Sequence, residues 1–441
     1  DNSCLVECDE EPPHNVNNEA LAAAVATARH LQMDLADEIF IMRKTVIDGS
    51  NTSAFQRTAV IGLNGKMGTS KGDVRIQSLC LEEESASIIG EKDGLTFGLD
   101  RLGIPLIEIA TEPDIIDGEH AREVAESLGM MLRMGGAAAR GIGTIRQDVN
   151  VSIEGGARIE IKGVQELDEI PAIIANEIKR QEALLKIIEK TRDTQQPKKI
   201  KKCDVSGLFS EGPGWVRKAL AGGSSATGVL LPGLAGMPGI ELYEGRRFGT
   251  ELSDYAKAFG FGGIMHSDED FKKYGADSGR IAGMLGAGTR DAFFVIVGSK
   301  GWLMEQAIES IVSRAYLKEV PKETRRALKG GGSQYMRPMA TFARMYPETD
   351  VESIPLTEEI VKDSERHMPR DPESVFAKIR NETTTSLRKS LSSQGILICT
   401  RIWLGAVRIR TLRRTRSQMQ SLHWRAKGLT RKLCARTSLK S

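Results

Sequence analysis

The stretch from Thr144 to Lys162 constrains the fold more than any other part of this sequence. It reads TIRQDVNVSIEGGARIEIK, with apolar and polar residues alternating on both sides of Gly155 and Gly156. Such alternation indicates strands, and a glycine pair between two strands indicates a hairpin turn. The apolar face of this hairpin comprises Val149, Val151, Ile153, Ile159 and Ile161. The polar face comprises Arg146, Asp148, Asn150, Ser152, Arg158, Glu160 and Lys162. The sequence therefore predicts a hairpin with one buried face and one charged face.

Two segments upstream extend this pattern. In PLIEIATE, Glu108 alternates with isoleucines, and in VRIQSLCLEE, Glu82 falls on the polar side and Glu83 on the apolar side. We expect the strand of Glu108 and the two hairpin strands to form one sheet face of alternating acids and bases. An ordinary solvated sheet face shows the same alternation, so the pattern alone leaves both interpretations open.

Three helices are predicted from capping residues and from apolar periodicity. The first begins at Asn17 or Asn18. The second spans 118–134 with Asp117 as its cap, and the third spans about 171–190. We expect the second helix to contribute to a core and the charged face of the third helix to be solvated.

Composition restricts the class of protein. The 441 residues suffice for two or three domains, and 27% of them are charged while 5% are aromatic. No apolar run approaches the roughly 20 residues needed to cross a bilayer, and no basic-then-apolar leader opens the sequence. The six cysteines are scattered without a C-x-x-C pair. We therefore expect a cytoplasmic protein with reduced thiols and no contact with membranes.

The chain changes character after residue 190. The polar segment TRDTQQPKKIKK predicts a linker, and glycine-rich strands and helices follow over 203–333. These glycines form neither GxxxxGK[ST] nor a strand-linked GxGxxG, so we expect no phosphate-binding loop of either type. His266 is isolated, which favours a structural or surface role over a site.

The end of the chain is strongly basic. Residues 383–441 contain 14 Lys and Arg and no Asp or Glu, whereas the rest of the chain contains 47 basic and 59 acidic residues. A basic segment can be a nucleic-acid-binding arm. The complete lack of acids and the richness in Arg, Ser, Thr and Leu favour translation in a shifted frame, which would leave a disordered end.

Two long motifs, DRLGIPLIEIATEPDI and GTIRQDVNVSI, closely resemble the B/E family of tRNA-dependent amidotransferase subunits. The second motif resembles the archaeal E branch of that family, and the resemblance extends from about residue 1 to residue 379. It implies an α/β (α+β) cradle domain, interrupted by a small α+β insertion domain like that of bacterial-type aspartyl-tRNA synthetases. The implied boundaries are 1–200 for the first part of the cradle, 203–333 for the insertion, 334–357 for the return to the cradle, 358–380 for the start of a helical domain, and 381–441 for an unrelated basic tail.

The resemblance also implies a reaction. Glutamate misattached to the glutamine tRNA would be converted into glutamine, with ATP phosphorylating the γ-carboxylate and ammonia displacing the phosphate. Nothing in the sequence resembles a glutaminase. The family instead implies a partner, an asparaginase-like glutaminase of the D type that releases ammonia, in a heterotetramer of two D-type and two E-type chains.

Site residues follow from matching motifs. The resemblance assigns Mg²⁺ to carboxylates in the LEEES, PLIEI and RQDVN motifs, which are Glu82, Glu108 and Asp148. Lys162 and Arg146 would offset charge on the phosphate, although either could simply pair with Glu160.

The turn in IMRKTVIDGSNTSAFQR offers further candidates, which resemble residues facing ATP or the tRNA end, although a solvated loop is equally consistent with the pattern. These candidates are Arg43, Lys44, Ser50, Asn51 and Gln56. Arg337 and Arg344 could approach substrate phosphates or lie on the surface.

The sequence departs from the family at its start. In the family, a first strand carrying an acid and an imidazole of the metal site precedes the position of Asp1, which predicts a copy truncated at its N-terminus. An alternative follows, namely a catalytically inactive fragment that binds tRNA or the partner protein. A B-type chain is disfavoured by the insertion.

Overall fold

The chain is described by a computed structural model that covers residues 5, 6, 8–90, 94–139, 141, 143–209, 212, 214–339 and 345–370. It divides into two compact units, 1–369 and 370–441, and nearly all of the described residues belong to the first. The predicted tail over 381–441 and the end of the predicted helical segment, 371–380, lie outside the described residues.

The helices over the described residues are α1 (Asn18–His30), α2 (Gly118–Met134), α3 (Ile170–Lys190), α4 (Gly214–Ala221), α5 (Phe248–Lys257), α6 (Ser278–Leu285), α7 (Trp302–Ala315) and α8 (Glu358–Asp363). The three predicted helices are confirmed. The Asn17 side chain caps α1 by accepting a hydrogen bond from the Ala20 amide at 3.0 Å. Asp117 caps α2 by accepting one from the His120 amide at 2.8 Å. These caps satisfy amides that have no partner within the helix.

The strands are β1 (Asp34–Leu35), β2 (Glu38–Ile39), β3 (Ile41–Thr45), β4 (Phe55–Thr69), β5 (Gly72–Glu83), β6 (Ser87–Gly90), β7 (Thr96–Gly98), β8 (Pro105–Thr111), β9 (Gln147–Val151), β10 (Ile159–Val164), β11 (Lys202–Asp204), β12 (Ser225–Leu231), β13 (Glu241–Tyr243), β14 (Arg246–Arg247), β15 (Ile264–His266), β16 (Ala292–Gly298), β17 (Glu323–Leu328), β18 (Gly332–Pro338), β19 (Met345–Pro347) and β20 (Ile354–Pro355).

The first sheet has the order β19-β3-β4-β5-β8, with β1 also paired to β4, and all of its pairings are antiparallel. Helix α1 packs against β4 and β5, and the segment that follows α1 approaches β4 at very short range. A Cβ at Gly65 would lie 2.5 Å from the Met33 side chain and 2.8 Å from the Leu31 carbonyl oxygen. Only glycine permits this approach of β4 to the segment that follows α1. Helix α8 belongs to the same layer, because Arg29 of α1 donates a hydrogen bond to the Val361 carbonyl at 3.0 Å.

The second sheet has the order β18-β17-β10-β9 and contains the predicted hairpin. Strands β9 and β10 pair antiparallel, with Ile159 opposite Val151, which confirms the hairpin. Strand β17 lies parallel to β10, with Thr324 opposite Glu160. The chain therefore returns to this sheet by residue 323. The domain boundary at residue 334, where the chain was expected to return to the cradle, stays a prediction. The second sheet already includes β17, which begins at Glu323.

The third sheet, β11-β12-β16-β15, lies within the predicted insertion. Its core is shared with the second sheet, since Val229 of β12 and Phe294 of β16 belong to the same buried cluster as Ile161 of β10. A separate buried cluster in this region includes Phe209 and other apolar residues. The region over 203–333 thus packs against the predicted cradle through a continuous hydrophobic core.

The prediction that the charged face of α3 is solvated is wrong. Glu177 and Arg180 in this helix are 1% and 0% exposed. They belong to a buried ion cluster, which is formed by Glu177, Arg180, Glu251, Arg314, Glu323 and Arg325. The cluster joins α3, α5, α7 and β17. Apolar periodicity could not reveal it, because charged residues are buried only where tertiary structure supplies partners of opposite charge.

In the part of the chain that the structure describes, no helix combines the length and apolar character needed to span a membrane. Cys8, Cys80 and Cys203 are free thiols.

His266 is 3% exposed and packs so closely on Gly249 that a Cβ added to Gly249 would lie 2.2 Å from the imidazole. This buried position matches the structural role favoured for His266.

Candidate active site

A cleft with a volume of ≈ 2970 Å³ is lined by strands of the first sheet, strands of the second sheet, and helices α2 and α3. Our prediction of one sheet face shared by the strand of Glu108 and the hairpin is wrong. Strand β8 pairs with β5 at the edge of the first sheet, whereas β9 and β10 belong to the second sheet. The two sheets nevertheless both face the cleft, so their acids and bases meet across it.

Glu82 is the centre of the polar cluster on the first sheet. This buried carboxylate accepts hydrogen bonds from Lys44 Nζ at 2.6 Å and from Gln56 Nε2 at 3.3 Å. Lys44 on β3 lies opposite Gln56 on β4, and Thr58 on β4 lies opposite Glu82 on β5. Since alternate residues of a strand share a face, this register brings the four side chains together.

Glu108 lies beside Glu82, because Cys80 pairs with Glu108 and Glu82 with Leu106 in the register of β5 and β8, which puts both acids on one face. Glu108 is accessible from the cleft, yet protein surrounds it on the other sides. This enclosure, and next the charge of Glu82, raise the pKa of Glu108 to about 7, while Lys44 and Lys162 act in the opposite direction. The pair therefore retains a proton for part of the time at neutral pH.

Lys162 is the central cation on the second sheet. Its Nζ lies 2.6 Å from Asp148 Oδ2 and 3.1 Å from Glu160 Oε1. Burial alone would lower the pKa of Lys162, but the charges of Asp148 and Glu160 outweigh burial and raise it. Lys162 is therefore a fixed cation, held between two carboxylates that come from neighbouring strands.

A β-bulge contains Lys162 and Gly163, which together face Asp148. The pairing of β9 and β10 shifts between Ile161 and Val164, and Gly163 within the shift has φ +77°. The Gly163 amide points to Asp148 Oδ1 at 3.4 Å. Bulges redirect neighbouring side chains, and this one includes the central cation of the cleft.

Arg146 also lines the cleft, and it is paired with Glu84. The same carboxylate also forms a salt bridge with Arg101, whose Nη2 lies 2.8 Å from Glu84 Oε2. Arg101 was not singled out in the sequence, because it lies outside the strand alternation that identified the other residues. Glu84 thus bridges two arginines, Arg101 and Arg146.

The predicted nucleotide-binding residues separate into two groups. Lys44, Ser50 and Gln56 line the cleft. Arg43 and Asn51 are not among its lining residues. Arg43 forms salt bridges with Glu348, at 2.5 Å, and with Asp350. Asn51 accepts a hydrogen bond from Ser85 at 2.8 Å. Adjacent residues of a strand point to opposite faces, so Arg43 cannot share the cleft with Lys44.

The three proposed metal ligands do not lie in one cluster. Within the described ranges, no group of three or more His, Cys, Asp or Glu side chains is arranged to hold a metal ion. Glu82 and Glu108 lie together, whereas Asp148 is bound to Lys162. Two adjacent, mutually repelling carboxylates fit Mg²⁺, which often takes one or two protein carboxylates and completes its shell with phosphates and water.

The structure adds one residue that the sequence did not reveal. Thr324 of β17 donates a hydrogen bond to Glu160 at 2.8 Å. Its segment was assigned to the insertion, so no local pattern linked it to the hairpin. Arg337 of β18 lines the cleft and lies opposite Thr324 in the register. Arg344 lies outside the described residues.

The fold and cleft define a mixed α/β protein whose two sheets present paired acids and bases to a common space. Comparison with known proteins gives the family. The profile of the GatB/GatE catalytic domain matches residues 4–362, and the chain belongs to this family.

Several curated relatives are similar to this chain, and each is named as the E subunit of a glutamyl-tRNA(Gln) amidotransferase. The Aeropyrum pernix relative is 45% identical over 86% of this chain and 61% of its own length. The Methanopyrus kandleri relative is 46% identical over 84% of this chain and 60% of its own length. The Haloarcula marismortui relative is 47% identical over 80% of this chain and 57% of its own length. The chain thus spans about three fifths of the length of these relatives.

Proposed function

We propose that this chain catalyses the ATP-dependent conversion of glutamyl-tRNA(Gln) to glutaminyl-tRNA(Gln). One observation carries the proposal: the Glu82–Glu108 pair and the Lys162 cation meet in one cleft, in a chain of the GatB/GatE family. The names of the relatives supply the substrate class, because they describe an amidotransferase acting on glutamyl-tRNA(Gln).

The chemistry explains why such a cleft needs both signs of charge. A carboxylate resists attack by ammonia, because it is negative and has a poor leaving group. Phosphorylation of the glutamyl γ-carboxylate supplies a good leaving group, and phosphoryl transfer depends mainly on positioned cations. Lys162 and Arg146 offset the negative charge of the phosphate and acyl phosphate. Lys44, Ser50 and Gln56 bind the nucleotide from the first sheet.

The charge balance of the cleft supports a divalent cation. Lys44 is paired with Glu82, Lys162 with Asp148, and Arg146 with Glu84. Paired cations alone offset little of the charge that a triphosphate and a tRNA end bring. Mg²⁺ supplies additional positive charge at the phosphates when it is bound, and Glu82 and Glu108 are the residues that would hold it.

Ammonia comes from a separate protein in this proposal. An asparaginase-like glutaminase of the D type releases it from glutamine in a heterotetramer of two D-type and two E-type chains, in an archaeal cytoplasm. The relatives whose names carry this activity are longer, and this chain spans about three fifths of their length.

The test measures amide formation on glutamyl-tRNA(Gln) with ATP, Mg²⁺ and ammonium chloride, since ammonium replaces the partner glutaminase. We expect Glu108→Gln to lower the rate about 100-fold. The matched control is Glu83→Gln, because Glu83 lies on the opposite face of β5 and pairs with Arg57. Equal rates for Glu108→Gln and the control would refute the site. A wild-type chain that binds tRNA without forming amide would support the binding-fragment alternative.

A further inference from the structure

Strand β17 has two faces with different partners. Glu323 and Arg325 point into the buried ion cluster, where Arg325 Nη1 lies 2.5 Å from Glu323 Oε1 and 3.4 Å from Glu251 Oε1. Thr324 lies between them and therefore points the opposite way, towards Glu160 on β10. The strand thus links the interior of the molecule to the wall of the cleft.

The contacts beyond Thr324 form a short chain. Thr324 Oγ1 donates to Glu160 Oε2 at 2.8 Å, and the other oxygen, Glu160 Oε1, lies 3.1 Å from Lys162 Nζ. With one oxygen bound to Thr324, the Glu160 carboxylate has a fixed orientation, and its other oxygen faces the ammonium group. Lys162 would otherwise be held by Asp148 alone, on the opposite strand.

The platform behind Thr324 is rigid. Thr324 is 1% exposed, and its neighbours Glu323 and Arg325 are 1% and 0% exposed. The parallel register of β10 and β17 places Thr324 directly opposite Glu160. A buried β-branched side chain on a strand fixed from behind has few alternative rotamers, so its hydroxyl is held in place before any substrate arrives.

We propose that Thr324 is a positioning residue, which acts through Glu160 to hold the Lys162 ammonium group at the point where negative charge develops. The inference rests on the proposed function, because it assigns Lys162 to the reacting phosphate. Thr324 itself touches no substrate. Its effect is therefore expected in the turnover step and not in substrate binding, since a displaced cation weakens the stabilisation of the transition state while the other contacts of the bound tRNA are unchanged.

The test compares Thr324→Val, which keeps the shape and removes the hydroxyl, with Thr324→Ser, which keeps the hydroxyl. In the ammonium-dependent assay we expect Thr324→Val to lower kcat about tenfold with KM for glutamyl-tRNA unchanged, and Thr324→Ser to stay close to the wild type. The control is Thr191→Val, which removes another buried hydroxyl. The Thr191 hydroxyl donates to the Ile187 carbonyl at 2.9 Å, and Thr191 is not among the residues that line the cleft.

A crystal structure of Thr324→Val separates this inference from the proposed function. We expect the Glu160 carboxylate to have rotated and Lys162 Nζ to have left it. An unchanged Lys162–Glu160 contact would overturn the inference, whether or not the chain makes glutaminyl-tRNA. If the wild type is active and Thr324→Val has a displaced Lys162 but the same kcat as the wild type, the inference is also overturned. A loss of kcat in Thr324→Ser or Thr191→Val equal to that in Thr324→Val would overturn it too.

Discussion

Replacing Glu251 with glutamine should lower the free energy of unfolding by about 3–5 kcal/mol, the cost of leaving buried charge uncompensated. Glu251 is 0% exposed, and its Oε1 accepts hydrogen bonds from Arg180 at 2.5 Å, from Arg325 at 3.4 Å and from Arg314. The buried ion cluster contains three arginines and three glutamates. Glutamine preserves the volume of Glu251 and removes its charge, so the cluster acquires one unpaired positive charge.

The loss should also depend on pH. Burial alone would raise the pKa of Glu251, but Arg180, Arg325 and Arg314 outweigh burial and hold this pKa well below its ordinary value of 4.5. A carboxylate whose pKa is depressed by folding stabilises the protein fully above its unfolded pKa, and this stabilisation is lost as the pH falls through the folded pKa. The difference between wild type and Glu251→Gln should therefore be constant above about pH 5 and shrink in stronger acid.

Chemical denaturation followed by circular dichroism measures this difference. The control is Glu126→Gln, which removes the same charge from an exposed pair with Arg122 at 3.9 Å. This control should lose less than about 1 kcal/mol, as is usual for surface ion pairs. If Glu251→Gln loses no more than Glu126→Gln at neutral pH, the buried charges do not stabilise each other and the reasoning is refuted.

Three further predictions concern the cleft. Lys162→Met should lower kcat for ammonium-dependent amide formation about 100-fold without unfolding the chain, and steady-state kinetics showing an unchanged kcat would contradict its role. Gly163→Ala should destabilise the chain by about 1 kcal/mol, because its φ of +77° is unfavourable for alanine, and a thermal melt identical to the wild type would contradict the strain. Arg43→Met should leave KM for ATP within about twofold of the wild type, because Arg43 bonds to Glu348 and does not line the cleft. A large rise in this KM would restore the nucleotide-binding role first expected from the sequence.

Local signals identified the parts of the cleft. The caps at Asn17 and Asp117, the hairpin at Gly155 and the alternation around Glu82 depend on interactions over a few residues, and the structure contains each of them. The alternation also placed Glu82 and Glu83 correctly on opposite faces, since Glu82 meets Lys44 and Glu83 pairs with Arg57.

The sequence by itself thus determined the helices, the hairpin and the polar faces, because caps and periodicity act within one turn or one strand. Only the tertiary structure decided that β8 and the hairpin belong to different sheets, that Arg43 pairs with Glu348, and that Thr324 reaches Glu160. Only the tertiary structure could bury Arg180, since its partner Glu251 lies 71 positions away. Alternation shows which side chains share a face but not which strand lies beside it, because strand pairing and charge pairing over long distances depend on how the whole chain packs.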